Sequence, residues 1–457
     1  MTKPRPLSGF PEWRPAHQTA EQAVTDGLRR VFELHGFAPL RTRAVEPLDV
    51  LLGKGETDKE IYLLRRLQAE TDAADADSTL GLHFDLTVPL ARYVLENSGH
   101  LTFPYRRYQI QPVWRGERPQ EGRYREFVQA DIDIVGDGVL AFHHEVEVAL
   151  VAAEALAALP IPPIRLRVNN RKVAEGFYTG LGLPDTAAVL RVMDKVDKIG
   201  ADGVTGLLTD LGATDDQAQA CLRFAAITGT PGEGFGAVGA AVKSLGVTDP
   251  LLDQGLDELA RVVDAAQRDV PGVLVPDLSI ARGLDYYTGT VYETHLVGHE
   301  GLGSICSGGR YDELARDGSR VFPGVGISVG VTRLIGALLG RSLVASTRAV
   351  PSAVLVAVTD EGHRDVSQRV AAALRRRGIS TEVSPTAAKF GKQIRYADRR
   401  GIPFVWFPGD DDAAGEVKDI RSGDQVPAVA STWTPPAVDL APTLVGPDST
   451  EEPEELS

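Results

Sequence analysis

At 457 residues, with 43% hydrophobic and 24% charged side chains, the chain has a globular composition and is too long for one hydrophobic core, so two to four domains are expected. Two cysteines exclude a disulfide framework and a cysteine-rich zinc site, and the longest apolar run, Val146 to Ile164, is broken by Glu147, Glu154 and prolines before it could span a bilayer. A formal net charge of −15 excludes indiscriminate binding to nucleic acid and confines any such contact to a local basic patch; with no apolar signal core in MTKPRPLSGFPEWRP, a cytoplasmic protein is expected.

Residues 17–35 (HQTAEQAVTDGLRRVFELH) repeat apolar residues at helical spacing and exit through Gly36-Phe37, which predicts an amphipathic helix. PLRTRAVEPL then reads as a strand, and the acidic, Ala-rich stretch from Glu70 to Ser78 as a loop. LGLHFDLTVPLARYVLEN reads as a strand turning into a helix. There Asp85 and Thr87 either share one face of a strand or cap a helix running from Pro89, and the cap is the simpler reading.

The segment Tyr105 to Gly136, YRRYQIQPVWRGERPQEGRYREFVQADIDIVG, predicts a hairpin. Its tip gathers Arg115, Arg118, Arg123 and Arg125 among Glu117, Glu121 and Glu126, a pattern that a solvated loop also explains. The returning strand alternates Gln129, Asp131 and Asp133 with Val128, Ala130 and Ile132, so one sheet face is polar. Guanidinium forks at the rim of such a face suit an anionic ligand that also carries cationic or hydrogen-bonding groups, and nucleotide phosphates meet the first requirement.

A helix is predicted from His143 to Leu159. Residues 165–275 are rich in Ala, Leu, Asp and Gly with helical periodicity, and predict a mostly helical insertion between two halves of one sheet domain; VNNRKV at its start carries no assigned role. Ala281 to Thr294, ARGLDYYTGTVYET, then sets Arg282, Asp285, three tyrosines and two glycines between a strand-like LSI and a β-branched run, a mixture that burial alone does not require. A hairpin edge with surface tyrosines is the competing reading of that stretch.

SICSGGRYDELARDG reads as a tight turn at Gly308-Gly309 that presents Arg310, Tyr311 and Asp312 to a cleft. FPGVGISVGVTRLIGALLG reads as a Gly-rich strand entering an apolar helix near Thr332-Arg333, where Arg333 either snorkels at the surface or is buried and needs an anion or an aromatic face. After a linker near Leu343 to Pro351, strict β-α-β-α-β alternation through PFVWFPG predicts a compact α/β domain with a largely parallel sheet. Its Arg375 to Arg377, Lys389, Lys392, Arg395, Arg399 and Arg400 form the basic patch that a nucleic-acid partner requires, although solvated helix faces explain part of it. Beyond about Pro435 the Pro-rich acidic tail is predicted to be disordered.

Five of these segments, in this order, resemble the motifs of histidyl-tRNA synthetases, which are class II aminoacyl-tRNA synthetases. YQIQPVWRGERPQEGRYREFVQADIDIVG resembles class II motif 2 in its histidyl form, RGLDYYTGTVYE and GGRYDEL resemble the two histidine-binding signatures, GVGISVGVTRL resembles motif 3, and FGKQIRYADRRGIPFVWFPGDD resembles the anticodon-binding domain. The resemblance runs from the N-terminal helix to about residue 435. It implies an α+β fold: a class II antiparallel-sheet catalytic domain over residues 1–164 and 276–342, the helical insertion over 165–275, an α/β anticodon-binding domain over 350–435, and a disordered acidic tail over 436–457. It further implies a histidine–tRNA ligase that forms histidyl-adenylate from L-histidine and ATP and transfers histidine to the 3′ end of tRNA(His), as a homodimer, with no membrane or DNA partner.

By the same resemblance, Arg115 binds the ATP α-phosphate and Arg282 approaches it from the other side. Glu117 reads the adenine amino edge, Phe127 and Arg333 sandwich the adenine, and Arg123 meets the outer phosphates with Mg²⁺ bridging them. Asp85, Thr87 and Gln129, with Leu86 between the first two, hold the α-ammonium group; Asp133 and Tyr287 bind the imidazole nitrogens, and Tyr286 and Tyr311 line the pocket. No metal ligands are assigned. Two departures stand out: Arg43 lies where motif 1 usually has proline, and Thr332 where motif 3 more often has an acidic residue. The rival reading is a histidine-sensing regulatory paralogue of ATP phosphoribosyltransferase, which lacks the C-terminal domain and tends to lose the arginines that serve ATP. An RNA-binding pseudo-synthetase would keep that domain and lose the same arginines.

Overall fold

Ala20, Val24, Leu28, Val31 and Phe32 recur every three or four residues and are all buried, which makes α1 (Pro15–Leu34) the expected amphipathic helix. The structure, a computed structural model, describes residues 5–52, 60–65, 79–280, 286–409 and 414–446. It divides into two compact units, Met1–Pro11 with Thr25–Ala337 and Glu12–Val24 with Leu338–Ser457. Among the described residues no helix is long and apolar enough to cross a membrane.

In the first unit, PLRTRAVEPL is not one strand. It pairs only at β1 (Ala38–Pro39) and β2 (Val45–Pro47). Between them the Gln111 carboxamide replaces a ladder partner: Thr42 N donates to Gln111 Oε1 (3.1 Å) and Gln111 Nε2 donates to Thr42 O (3.1 Å). After α2 (Leu48–Leu52), the strands β3 (Leu63–Leu64) and β4 (Leu80–Leu82) complete a small sheet with β2. The stretch Glu70 to Ser78 lies outside the described residues. α3 (Thr87–Asn97) begins two residues before Pro89, and Asp85 Oδ1 accepts from Val88 N at 3.0 Å, so Asp85 does serve the helix start.

β5 (Tyr105–Trp114) and β6 (Glu126–Val135) form the expected hairpin ladder, with Arg107 opposite Asp133, Gln109 opposite Asp131 and Gln111 opposite Gln129. α4 (His143–Ala157) follows. β7 (Ile164–Asn170) is a strand of the same sheet, so residues 165–170 do not belong to a helical insertion. The helices begin at Arg171: α5 (Arg171–Gly180), α6 (Thr186–Met193), α7 (Val196–Asp210), α8 (Asp215–Ala225), α9 (Gly236–Ser244) and α10 (Pro250–Asp269). Their starts follow the sequence: Asn170 caps α5, Asp185 caps α6, Thr214 and Gln217 form a capping box on α8, and Asp249 precedes Pro250 at α10. β8 (Leu274–Pro276) then returns to the sheet beside β7.

β9 (Thr290–Leu296), β10 (Cys306–Asp317) and β11 (Arg320–Gly330) complete eight strands in the order β1-β5-β6-β11-β10-β9-β7-β8, and α11 (Val331–Gly340) leaves the last of them. Three expectations change here. Leu278 to Ile280 is a turn and not a strand, because Asp277 Oδ1 accepts from Ser279 N (3.0 Å) and Ser279 Oγ (2.6 Å). The run into β9 is no hairpin edge, since β9 lies between β10 and β7. Gly308-Gly309 is no tight turn: both residues sit within β10, which carries a bulge between Tyr311 and Ala315. Glycine is needed at 308 because a Cβ there would lie 2.2 Å from Gly326 O.

The period of two divides the sheet into unlike faces. Ala130, Ile132 and Ile134 of β6 join Val325, Ile327 and Val329 of β11 on a buried apolar face, which α4 packs against. The opposite face carries the polar residues of β5 and β6.

The second unit contains β12 (Ala345–Ser346), β13 (Val354–Val356), α12 (Arg364–Arg376), β14 (Thr381–Val383), α13 (Phe390–Arg400), β15 (Phe404–Pro408), β16 (Ala414–Asp419), β17 (Gln425–Val429) and β18 (Leu444–Val445). Its sheet runs β14-β13-β15-β16-β17, parallel over the first three and antiparallel thereafter. Residues 436–446 are ordered, contrary to the disordered tail expected from Pro435 onward. Buried Asp439 meets Arg421 through two bonds of 2.8 and 2.9 Å, and β18 pairs with β12 inside the expected linker. A Gly308→Ala substitution should destabilise the protein by about 1–3 kcal/mol, because the new methyl meets backbone that cannot rotate away; a urea midpoint equal to that of the parent would refute this close packing.

Candidate active site

The site grows out of register. Because Arg107, Gln109 and Gln111 stand opposite Asp133, Asp131 and Gln129, six polar side chains share one sheet face. β11 continues that face with Gly324, Gly326, Ser328 and Gly330, opposite Val135, Asp133, Asp131 and Gln129. The glycines make room: a Cβ on Gly326 would fall 2.1 Å from Asp133 Oδ1, and one on Gly324 would fall 2.3 Å from the Tyr311 ring. Tyr311 of β10 stands opposite Gly324 and completes the floor.

A buried ion pair anchors this floor. Arg107, 0% exposed, sets Nη2 at 2.6 Å from Asp133 Oδ2 and 3.3 Å from Leu86 O. Tyr311 Oη donates to Asp133 Oδ1 at 2.7 Å. Burial nevertheless outweighs Arg107 and pushes the Asp133 carboxyl up to about 6; burial pushes Asp131 up to about 7, with the neighbouring Asp133 adding to the rise. Asp85 is raised by burial against the opposing Val88 N–H, Arg115 and Tyr286. Tyr286 Oη donates to Asp85 Oδ2 (3.3 Å) and also bonds to Thr87, and its ring meets Tyr287 and Tyr311 edge-on at 5.1 and 6.0 Å. Gln129 Nε2 donates to Ser328 Oγ at 2.7 Å. The structure thus brings buried Asp85, Gln129, Asp133 and Tyr311 and half-buried Thr87, Tyr286 and Tyr287 into one polar group, with Leu86 contributing its carbonyl.

A second group lies where the hairpin leaves the sheet. Arg115 Nε donates to Phe84 O at 2.9 Å, and its guanidinium lies 5.1 Å from the Phe127 ring centroid. Arg123 and Glu117 approach to 3.6 Å beside a 390 Å³ cavity that both line with Glu60. Arg333 donates to Leu302 O at 2.5 Å, and a Cβ on Gly122 would lie 3.4 Å from its Nε, so it sits against the hairpin tip. Burial lowers its pKa, and Arg123 lowers it further; it is therefore not a snorkelling residue. At the two departures, Thr332 Oγ1 accepts from Val128 N (2.8 Å), and Arg43 pairs with Glu46 (2.9 Å), which also holds Arg92 (2.7 Å).

Arg282 lies outside the described residues, as do Ala281 and Gly283 to Asp285. The ends of that stretch are pinned. Asn169, in the VNNRKV segment given no role, donates to Ile280 O at 2.9 Å; Thr288 donates from its backbone to Arg310 O (2.8 Å) and from its hydroxyl to Asp312 (2.5 Å). Arg310 pairs with buried Glu145 at 2.8 Å and Asp312 at 2.9 Å. The role of Arg107 was missed by sequence reasoning, although its alternation with Gln109 and Gln111 in YRRYQIQP was a legible signal.

Residues 9–334 match the family model described as histidyl-tRNA synthetase, and residues 352–428 match the one described as anticodon binding domain. The chain belongs to the histidyl-tRNA synthetase family. The histidine–tRNA ligase of Cutibacterium acnes is 59% identical over 456 residues, covering 98% of this chain and 100% of that one. The crystal structure of histidyl-tRNA synthetase from Nostoc sp. PCC 7120 matches with a TM-score of 0.83 and 35% identity over 94% of this chain and 98% of that one. An ATP phosphoribosyltransferase regulatory subunit/histidyl-tRNA synthetase from Bacillus halodurans C matches at 19% identity, TM-score 0.67, over 85% of this chain and 94% of that one, a likeness of fold alone.

In the second unit the basic residues divide. Arg375 donates to Thr381 O, Arg377 to Ala430 O and Arg400 to Glu382, so these three pin the fold. Lys392, Arg395 and Arg399 line a 410 Å³ groove with Tyr396, Ser384 and Thr386.

Stability should carry the mark of the buried acids. A carboxyl whose pKa is higher folded than unfolded binds its proton more tightly in the folded state, so stability falls as pH rises from about 4 to about 7 and levels off above. Asp131→Asn removes that penalty. The variant should gain stability over the parent at about pH 8 and show little gain at about pH 4.5; denaturant titrations giving equal gains at both would contradict burial of an ionisable group there.

Proposed function

We propose that this chain activates L-histidine with ATP and esterifies it to the 3′ end of tRNA(His), and that the two side-chain groups described above divide that work. The observation that carries the reading is the acidic, hydrogen-bonding sheet face ending at a rim of guanidinium groups, on a chain of this family. The histidine carboxylate attacks the α-phosphorus of ATP, and pyrophosphate leaves. Such a step asks the protein to hold two reactants in line and to offset charge on the phosphoryl oxygens. Arg115 is suited to this, since Phe84 O and the Phe127 ring fix its guanidinium. Arg282 is its partner in this proposal on family resemblance alone.

Asp85, Thr87 and Gln129 would take the α-ammonium group, and Asp133 and Tyr287 the ring. Phe127 and Arg333 would flank the adenine, Glu117 would accept from its amino group, and Arg123 would meet the outer phosphates. A site that pairs both ring nitrogens leaves its own buried groups unpaired against an analogue lacking them, which gives discrimination without a second, hydrolytic site. Among the described residues no group of three His, Cys, Asp or Glu side chains could hold a metal ion. In this proposal Mg²⁺ would arrive with the phosphates of ATP. Glu60, whose carboxyl is raised by burial and by Glu117, is the acid that a nearby cation would relieve, and the ion's contribution is positive charge at the outer phosphates. The groove lined by Lys392, Arg395 and Arg399 is the surface we assign to tRNA, and we infer a homodimer from family membership.

Exchange of labelled pyrophosphate into ATP, without tRNA, should depend on histidine and on no other amino acid. Arg115→Ala should lower that exchange roughly 10²–10³-fold, as removal of one transition-state donor does. Exchange with several amino acids, or an unaffected Arg115→Ala, would refute the assignment.

A further inference from the structure

Three carboxylates line the polar site, Asp131 and Asp133 from the sheet face and Asp85 from just before α3, and they are not equally engaged. Asp85 accepts from Val88 N and from Tyr286 Oη, and Asp133 from Arg107 and Tyr311. Asp131 bonds to the Ser328 hydroxyl, while its Oδ1 has no partner among the described residues although only 2% of the residue is exposed. A buried acceptor left without a donor is costly, so this oxygen is built to receive one. Its place is specific. Asp131 lies between Gln129 and Asp133 on β6, opposite Gln109 and Ser328. A ligand that reaches from Gln129 to Asp133 must cross it.

The chemistry of the face selects the form of the ligand. A neutral imidazole has one N–H donor and one acceptor, whereas an imidazolium has two donors. The ionisable groups around Asp131 are Arg107 of β5, Asp133 of β6, Asp85 before α3, Tyr287 and Cys306 of β10. Arg107 is the lone cation of that set and already faces Asp133. We propose that Asp131 is a specificity-determining residue, its free Oδ1 accepting from a ring nitrogen of bound histidine so that the ring is held as the two-donor imidazolium. The proposal rests on the histidine-activation reading above and deepens it. The raised carboxyls fit it, since a cationic ring beside them offsets the burial that lifts Asp131 to about 7 and Asp133 to about 6 even with Arg107 present.

The test compares calorimetric affinities of the full-length protein for histidine and for 1,2,4-triazol-3-ylalanine, an isosteric amino acid whose ring stays neutral at pH 7. The parent should prefer histidine, and Asp131→Asn, which keeps the volume and the Ser328 bond, should shrink that preference roughly 10- to 100-fold, the value of one hydrogen bond to a charged group. ATP affinity should change less than about twofold, and Asp131→Glu should retain more of the preference than the Asn variant. An unchanged preference ratio overturns the proposal, including the case where both affinities fall together, because that marks a merely structural Asp131. No preference in the parent overturns it as well. A parent that binds no histidine sinks the activation reading first, and is told apart by its failed pyrophosphate exchange.

Discussion

Arg107 has none of its surface exposed, and a guanidinium in that position is costly unless a carboxylate meets it. Asp133 does so at 2.6 Å across the β5–β6 ladder. The pairing fixes more than itself. Its second oxygen takes the Tyr311 hydroxyl, Arg107 reaches on to Leu86 O at the start of α3, and Gly326 must lack a side chain for Asp133 to lie where it does. Buried ion pairs are poor sources of stability when compared with apolar packing. Here the return is position: an acidic group held at one point on a rigid sheet, with the strand segments that carry the other polar side chains locked to it.

The site therefore has a rigid floor and a differently built rim. In this account the amino acid faces side chains of β6 and β10, of the first turn of α3 with Asp85 just before it, and Tyr286 and Tyr287 just before β9. Apart from Arg282, everything assigned to ATP comes from the hairpin tip, the start of β6 and the first turn of α11. The two meet at Arg115, whose Nε is tied to Phe84 O one residue before Asp85.

Much of this was legible in the sequence, and the reasons are physical. Period-two alternation in QADID announced a polar sheet face, and alternation of small and apolar residues in GVGISVG announced a Gly-rich strand. The helices from α5 to α10 were legible through their periodicity, and Asn170, Asp185, Thr214 and Asp249 cap four of them. What escaped was set by tertiary contact. Leu278 to Ile280 has the composition of a strand, but Asp277 turns it. Gly308-Gly309 looks like a turn by local rule, yet glycine is there because a neighbouring strand passes at contact distance. The stretch after Pro435 has a disordered composition, and contacts distant in sequence hold residues 436–446: Arg421 on Asp439, β12 on β18, and the apolar core against which Leu440 packs. Arg107 was passed over because an Arg in a strand is usually a surface residue; its importance lies in the register that brings Asp133 opposite.

The central claim is that the buried Arg107–Asp133–Tyr311 group positions the histidine pocket and leaves the ATP rim to stand by itself. The most direct test is calorimetry of histidine and of ATP binding to Arg107→Met and to the milder Tyr311→Phe, each first checked for a cooperative unfolding transition. The account predicts that both variants lose histidine affinity, Arg107→Met by the larger factor, while ATP affinity stays within about twofold of the parent, as for sites with no shared partner. Equal losses for the two ligands, or unchanged histidine affinity in a folded Arg107→Met protein, would contradict it.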